Sequence, residues 1–197
     1  MTRSARLGAL ATCALLLGGC ASPSRYRLVE PGARSTAGAY TVQPGRAWSS
    51  IGAGKVETWT IDGLTLESLR FFTGIAEGES ILGGRAAEDR RARFSTSMTL
   101  PEVAEFVADS LFGRFPPRNV RPARFGGAPG FRFEVSYTTR DGVHREALVA
   151  ATVLQKQLYV IAYTGTSLHH FARYRDEAEH VIDSVRLTGA SARTQPQ

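Results

Sequence analysis

The residue with the clearest chemical potential in this sequence is Cys20. It directly follows Leu17, Gly18 and Gly19, and an uncharged apolar stretch of 11 residues, Leu7–Leu17, leads up to it. A thiolate is a strong nucleophile that can take up a covalent group. Cys20 is therefore the first candidate in the sequence for covalent modification.

The residues before this cysteine are typical of a signal peptide. Arg3 and Arg6 supply the positive start, and the apolar stretch is shorter than the about 20 residues that a membrane span needs. The ending Leu17-Gly18-Gly19-Cys20 resembles the bacterial lipobox. This resemblance implies cleavage before Cys20, acylation of its sulfur and new amine, and attachment to a membrane through lipid. Ala21, in place of Asp, implies sorting to the outer membrane, facing the periplasm. The alternatives are an ordinary signal peptide with a chance cysteine, or a buried apolar helix.

The rest of the sequence lacks the patterns of known catalytic and metal sites. The four histidines are His144, His169, His170 and His180. They do not have the HExxH spacing that places two imidazoles on one helix face to bind a metal ion. Gly78-Glu79-Ser80 lacks the second glycine of a nucleophile elbow. We therefore expect no catalytic residue, no metal and no cofactor. The other cysteine, Cys13, leaves with the signal peptide, so we expect no thiol chemistry in the folded part. A pair of carboxylates that are far apart in sequence, as glycoside hydrolysis would need, stays open as an alternative.

A group of four arginines is the one candidate binding surface. They lie within 11 residues, with Phe115 and Phe125 interleaved, and are Arg114, Arg118, Arg121 and Arg124. Nearby prolines are expected to hinder regular strand pairing and to keep the segment at the surface. In a bacterial envelope the group could contact lipid headgroups, lipopolysaccharide, peptidoglycan carboxylates or a protein, whereas nucleic acid does not fit that compartment. The alternative is a solvated loop and edge strand with no partner.

Length and composition predict one folded domain. The chain has 197 residues, of which 43% are hydrophobic and 21% charged, and a formal net charge of +6. We expect a signal peptide at 1–19, a flexible tether rich in Ser, Pro and Gly at 20–39, a single domain at 40–187 and a disordered tail at 188–197.

The first half of the domain contains three strand signals and one helix signal. Tyr40–Gln43 is expected to be a short strand. Val56–Ile61 and Leu64–Phe72 are rich in β-formers, and Asp62-Gly63 between them predicts a two-residue type I′ hairpin turn. A polar loop is expected at 77–93. Thr99 and Glu102 then fit a capping box before a helix that buries a stripe around Phe106 and ends near Gly113.

The second half predicts three antiparallel strands and a closing helix. Phe131, Phe133 and Val135 alternate with polar residues, which predicts a strand with one buried and one wet face. Val143–Leu154 and Gln157–Thr164 are apolar on both faces, as in the middle of a sheet. The helix is expected from about Ser167 to Val185. The whole order predicts an α+β fold, with two amphipathic helices packed on an antiparallel sheet.

These elements resemble the PsbP-like fold group over roughly Leu64–Leu187. The motifs that carry the resemblance are Thr99–Glu102, Gly127–Gly130, Val143–Thr164 and Ser184–Leu187. The resemblance implies a non-enzymatic binding scaffold. Two functions stay open: a lipid-anchored envelope module that binds a protein or membrane component, and a small envelope hydrolase whose site is scattered in sequence. A pocket with convergent polar groups would favour the hydrolase.

Overall fold

A computed structural model describes residues 26–36, 39–82 and 92–187 of the chain. The strands are β1 Arg27–Val29, β2 Arg34–Thr36, β3 Tyr40–Val42, β4 Trp48–Ala53, β5 Val56–Thr60, β6 Glu67–Ile75, β7 Arg118–Phe125, β8 Ala128–Thr138, β9 His144–Leu154, β10 Gln157–Thr166 and β11 Arg186–Leu187. The helices are α1 Leu100–Phe112 and α2 His170–Asp183.

The described residues form a large antiparallel sheet of eight strands in the order β1-β4-β5-β6-β10-β9-β8-β7. A second sheet has three strands in the order β11-β3-β2. One helix packs on each face of the large sheet, and these faces are called the α1 face and the α2 face below. The predicted α+β architecture of two helices on an antiparallel sheet is confirmed.

Two apolar cores lie on the two faces of the large sheet. On the α2 face, Trp48, Trp59 and Tyr163 pack with the helix and the small sheet. On the α1 face, Phe106 packs with side chains of β6, β8, β9 and β10, and Val149 is among them. The central strands β9 and β10 contribute to both cores, which explains why their sequences are apolar on both faces.

Helix α1 has the predicted boundaries because its signals are local. The Thr99 N–H donates to Glu102 Oε2 at 2.6 Å, so the two residues form the expected cap. Gly113 ends the helix with a φ of 82°, a conformation that glycine adopts without steric cost. Phe106 is 5% exposed, and its ring centroid lies 6.1 Å from that of Phe94.

The predicted hairpin exists, but its turn is different. Strands β5 and β6 pair with Trp59 opposite Leu69. The loop between them runs over residues 61–66 and is not a two-residue turn. The side chain of Glu67 holds it, because Glu67 Oε1 accepts from the N–H groups of Ile61 and Asp62 at 2.6 and 2.9 Å. A side-chain acceptor thus supplies bonds that a tight turn would make within the backbone.

The structure also differs from the predicted tether at 20–39. Residues 27–29 pair with β4, and residues 34–36 pair with β3. Val29 is fully buried in the core on the α2 face, so burial of an apolar side chain offsets part of the cost of ordering this segment. Cys20, the signal peptide, residues 20–25 and 37–38 of the tether, residues 83–91 of the 77–93 loop, and the 188–197 tail lie outside the described residues.

Candidate functional site

The four predicted arginines lie at one edge of the large sheet. Arg114 follows α1, and the other three lie on β7, which pairs only with β8 in the sheet order. The nearby prolines predict hindered strand pairing, yet β7 pairs with β8 through Pro122. An edge strand tolerates proline because one side of its backbone forms no ladder bonds. The register shifts between Arg118 and Arg121, and Asn119 between them has a φ of 55°. We call Arg114, Arg118, Arg121 and Arg124 the arginine edge.

The register of β7 divides the arginine edge between two faces. Arg121 is opposite Arg132, whose guanidinium pairs with Asp183 of α2. Side chains opposite each other on antiparallel strands point to the same face, so Arg121 lies on the α2 face. Arg118 contacts Ser136 and Glu146 on that face as well. Arg124 is next to the buried Phe125 of the α2 core and therefore points to the α1 face. The three arginines of β7 thus lie on both faces of the edge and do not form a single patch.

Carboxylates neutralise part of the charge beside this edge. Arg118 Nη2 lies 3.2 Å from Glu146 Oε2. Arg175 of α2 lies 2.7 Å from Glu134 and 2.9 Å from Glu179. Partial burial raises the pKa of Glu134, but hydrogen bonds from Asn119 and Arg175 outweigh it, and the resulting pKa is lowered. The hydrogen bond to Glu179 raises the pKa of Arg175. The Arg175–Glu134 pair ties α2 to strand β8, next to the sheet edge.

Arg114, Arg121 and Arg124 keep their charges available. Each is exposed, and none forms an ion pair with another described residue. Arg124 donates to the carbonyl oxygen of Gly127 at 2.9 Å. Arg132, by contrast, is one of the polar residues that alternate with Phe131 and Phe133, which predicts a wet position, but it is only 9% exposed. Its alternating position alone could not reveal that an α2 carboxylate would cover it.

The arrangement most like a catalytic set lies at the start of α2. His170 Nδ1 is 2.9 Å from Thr166 Oγ1, and His170 Nε2 is 3.8 Å from Asp62 Oδ2. The second distance is too long for a hydrogen bond. Instead, the Tyr174 hydroxyl donates to Asp62 at 2.7 Å, and burial together with this bond raises the pKa of Tyr174. The contacts fasten the 61–66 loop to α2, so they have a structural explanation.

Glu177, on the same helix, also has structural partners. Its Oε1 accepts from the N–H groups of Gly45 and Arg46 at 2.8 and 3.1 Å, and from the Trp48 indole at 3.3 Å. It thereby holds the chain entering β4 against α2. No group of three or more His, Cys, Asp or Glu side chains suited to a metal ion occurs among the residues that the structure describes.

An apolar groove lies between the start of α1 and strands β8 and β9. Its volume is about 250 Å³, and Met98, Leu100, Val103, Pro129, Gly130, Phe131 and Val153 line it. A second, more polar groove of about 330 Å³ lies beside β1 and β2, where Glu30 and Arg34 contribute to its wall. Neither lining contains a histidine or joins the polar cluster at the start of α2. In the described part of the chain, no helix is long and apolar enough to cross a membrane.

Comparison with known proteins gives structural similarities only. No protein family and no curated protein sequence matches the chain. A structure from Bacteroides thetaiotaomicron VPI-5482 has a TM-score of 0.47 and 9% identity; the match covers 81% of this chain and 49% of that one. LpqN, involved in cell envelope biogenesis of Mycobacterium tuberculosis, has a TM-score of 0.37 and 13% identity, covering 84% and 79%. The cyanobacterial PsbP (CyanoP) of Synechocystis sp. PCC 6803 has a TM-score of 0.48 and 14% identity, covering 91% and 99%.

Proposed function

We propose that this protein is a lipid-anchored module of the bacterial outer membrane that binds an anionic envelope component without catalysing a reaction. The observation that carries the anchoring is the sequence Leu17-Gly18-Gly19-Cys20 after a charged start and a short apolar stretch. Two or three acyl chains on Cys20 would hold the protein stably in a membrane, whereas a single chain binds marginally.

The position of β1 supports a domain held near the membrane. Strand β1 begins at Arg27, seven residues after Cys20. Seven residues of fully extended chain span at most about 25 Å. Acylation at Cys20 would therefore keep β1 within that distance of the bilayer surface.

The strand order favours a partner on the side away from the anchor. Strands β1 and β7 are the two opposite edges of the eight-stranded sheet. Seven strand spacings separate them by roughly 34 Å. This distance is several times the Debye length, which is about 8 Å at physiological salt. When β1 faces the bilayer and β7 points away from it, salt would therefore screen the attraction between the arginines of β7 and the anchoring membrane. Peptidoglycan carboxylates in the periplasm fit this geometry better than the headgroups of the anchoring membrane.

Two experiments test the proposal separately. In cells given radiolabelled palmitate, the wild-type protein and Cys13→Ser should incorporate label, and Cys20→Ser should not. Cys13 is the matched control because it lies within the apolar stretch that is removed. Equal labelling of Cys20→Ser and the wild type would refute the lipid anchor.

Binding is tested by co-sedimentation of the purified protein with peptidoglycan sacculi and with anionic vesicles. The triple variant Arg114→Gln, Arg121→Gln, Arg124→Gln should lose salt-sensitive binding to sacculi. The control is a second triple variant, which removes three exposed cations near the β1 edge of the sheet: Arg27→Gln, Arg46→Gln, Lys55→Gln. Equal loss in both variants, or no sedimentation of the wild type at low salt, would contradict a role for the arginine edge. Vesicle binding without sacculus binding would contradict the proposed direction of the partner.

A further inference from the structure

Two arginines that are distant in sequence lie on the α1 face of the large sheet. Arg70 on β6 is opposite Ala162 of β10, and Arg145 on β9 is opposite Thr166 of the same strand. Between them, Ser68 and Thr164 are opposite each other, with their hydroxyl oxygens 3.2 Å apart. The two guanidinium groups therefore flank a pair of hydroxyl groups on one face.

Arg145 is a buried cation, and its hydrogen-bond partners in the described part of the chain are all neutral. It is 8% exposed. Its guanidinium donates to Tyr137 Oη at 3.1 Å, Thr65 O at 2.5 Å, Leu66 O at 3.4 Å and Thr164 Oγ1 at 3.3 Å. Among the described residues no carboxylate lies within ion-pair distance of this group. Its positive charge is thus held in place by hydrogen bonds but is not neutralised.

Arg70 has fewer hydrogen-bond partners than Arg145. It is partly buried, and its Nε atom is buried without a hydrogen-bond partner. Its guanidinium carbon lies 5.6 Å from the ring centroid of Phe72, which helps to fix the side chain. Burial lowers the pKa of Arg70, Tyr137 acts in the opposite direction, and the nearby charge of Arg145 lowers it again. No described carboxylate forms an ion pair with Arg70, so a desolvated charge there lacks a counter-ion, which is unfavourable.

Hydroxyl groups beside this charge can still donate. The Tyr137 oxygen accepts from Arg145, so its own hydrogen is free to point outward. Tyr137 is partly exposed, and its ring packs 5.0 Å from that of Phe112 at the end of α1. Thr58 is directly opposite Arg70 and is also partly exposed. The sheet register thus places these guanidinium and hydroxyl donors on one face, and no described carboxylate pairs with either guanidinium group.

We propose that Arg70 and Tyr137, with Arg145 behind them, form a binding site for an anionic oxygen group, either a carboxylate or a phosphate. The planar guanidinium of Arg70 would donate to the anion, as arginine does to both groups. The Tyr137 hydroxyl would add one bond, and the charge of Arg145 would strengthen both in a partly desolvated place. This site is on another part of the molecule than the arginine edge and does not depend on the proposed membrane anchor.

The experiment is titration calorimetry of the full-length purified protein with acetate and with inorganic phosphate, each at constant ionic strength set with chloride. The wild type should bind one of the two probes at a single saturable site. Arg70→Gln should weaken that binding at least about tenfold, since hydrogen bonds to charged groups are among the strong ones. Tyr137→Phe keeps the ring packing and should weaken it several-fold. Phosphate binding alone would identify a phosphoryl ligand, and acetate binding alone a carboxylate.

Arg173→Gln is the matched control, because Arg173 is an exposed arginine on α2 and lies away from the α1 face. It should bind the probe like the wild type. The melting temperature of Arg70→Gln in chloride should equal or exceed that of the wild type, because the substitution removes an unpaired charge. The proposal is overturned if neither probe binds the wild type, or if Arg70→Gln and Tyr137→Phe both bind as tightly as Arg173→Gln.

Discussion

The carboxyl group of Glu67 should be the main support of the loop between β5 and β6. Glu67 is fully buried, and its Oε1 accepts from the Ile61 and Asp62 N–H groups and from the Thr60 hydroxyl at 2.7 Å. The Thr60 oxygen in turn accepts from the Gly63 N–H at 2.9 Å. Glu67→Ala removes the acceptor at the centre of this network and leaves the Ile61 and Asp62 N–H groups unpaired in a partly buried place. The Thr60 hydroxyl can still donate to the main-chain oxygen of residue 67, which lies 2.9 Å away.

The expected cost follows from the number of donors. Each unpaired buried donor costs roughly 1–3 kcal/mol, and this loop keeps some access to water. Two unpaired N–H donors therefore give about 3 kcal/mol for Glu67→Ala, or about 6–12 °C in melting temperature for a domain of this size. Glu67→Gln keeps an oxygen at the same place. Glu67 Oε2 has no hydrogen-bond partner among the described residues, so an amide nitrogen there would break no bond. The glutamine variant should lose less than half as much.

Urea unfolding followed by circular dichroism measures both variants, and amide hydrogen exchange reports on the loop itself. The N–H groups of Ile61 and Asp62 should exchange faster in Glu67→Ala and keep most of their protection in Glu67→Gln. Glu105→Ala, an exposed glutamate of α1, is the control and should stay within about 0.5 kcal/mol of the wild type. Equal losses in the alanine and glutamine variants would refute the acceptor role, because only one of them removes the acceptor.

Three further perturbations test the packing and the electrostatics of the domain. Phe106→Ala should destabilise it by about 3–5 kcal/mol in urea unfolding, and a loss no larger than that of Glu105→Ala would mean that α1 is rotated. Gly165→Ala should cost about 1–3 kcal/mol, because the added Cβ would lie 2.6 Å from the backbone of Phe171, and a neutral effect would contradict this close packing of α2 on β10. The lowered pKa of Glu134 stabilises the fold above the ordinary value of 4.5, and this stability is lost as pH falls through the lower folded value. Unfolding measured from pH 6 to pH 3 should therefore show a weaker pH dependence for Glu134→Gln, and an unchanged profile would refute the contribution.

Helix α1 could be predicted because all of its determinants lie within one short segment. Thr99 and Glu102 cap its start, Gly113 ends it, and the apolar residues between them follow the helical period. Each of these signals acts through neighbours in sequence. The central strands were predictable for a related reason, since burial on both faces leaves a continuous apolar run such as that of β9.

The first strands could not be predicted, because they depend on long-range pairing. Residues 27–29 and 34–36 are too short to show a period of two, and Pro31 and Gly32 between them favour a loop. Their order comes from β4 and β3, with Val29 buried against them. The two-residue turn predicted between β5 and β6 was wrong for the opposite reason, because a local signal was overruled by a contact from a residue beyond the turn. Asp62-Gly63 is a valid local turn signal, but the buried carboxyl of Glu67 stabilises a longer loop instead.

The candidate sites show why charge clusters must be read from the sheet register and not from spacing alone. Arg118, Arg121 and Arg124 are close in sequence, yet alternation along β7 places Arg124 on the opposite face from the other two, and Glu146 neutralises Arg118. Arg70 and Arg145 are far apart in sequence, yet β10 brings them to one face without a carboxylate. Neutralised cations hold the fold together, whereas cations without counter-ions retain electrostatic free energy that a bound anion can release. The second pair is therefore the stronger candidate for a specific ligand, and the exposed edge is better suited to a weak, salt-sensitive contact.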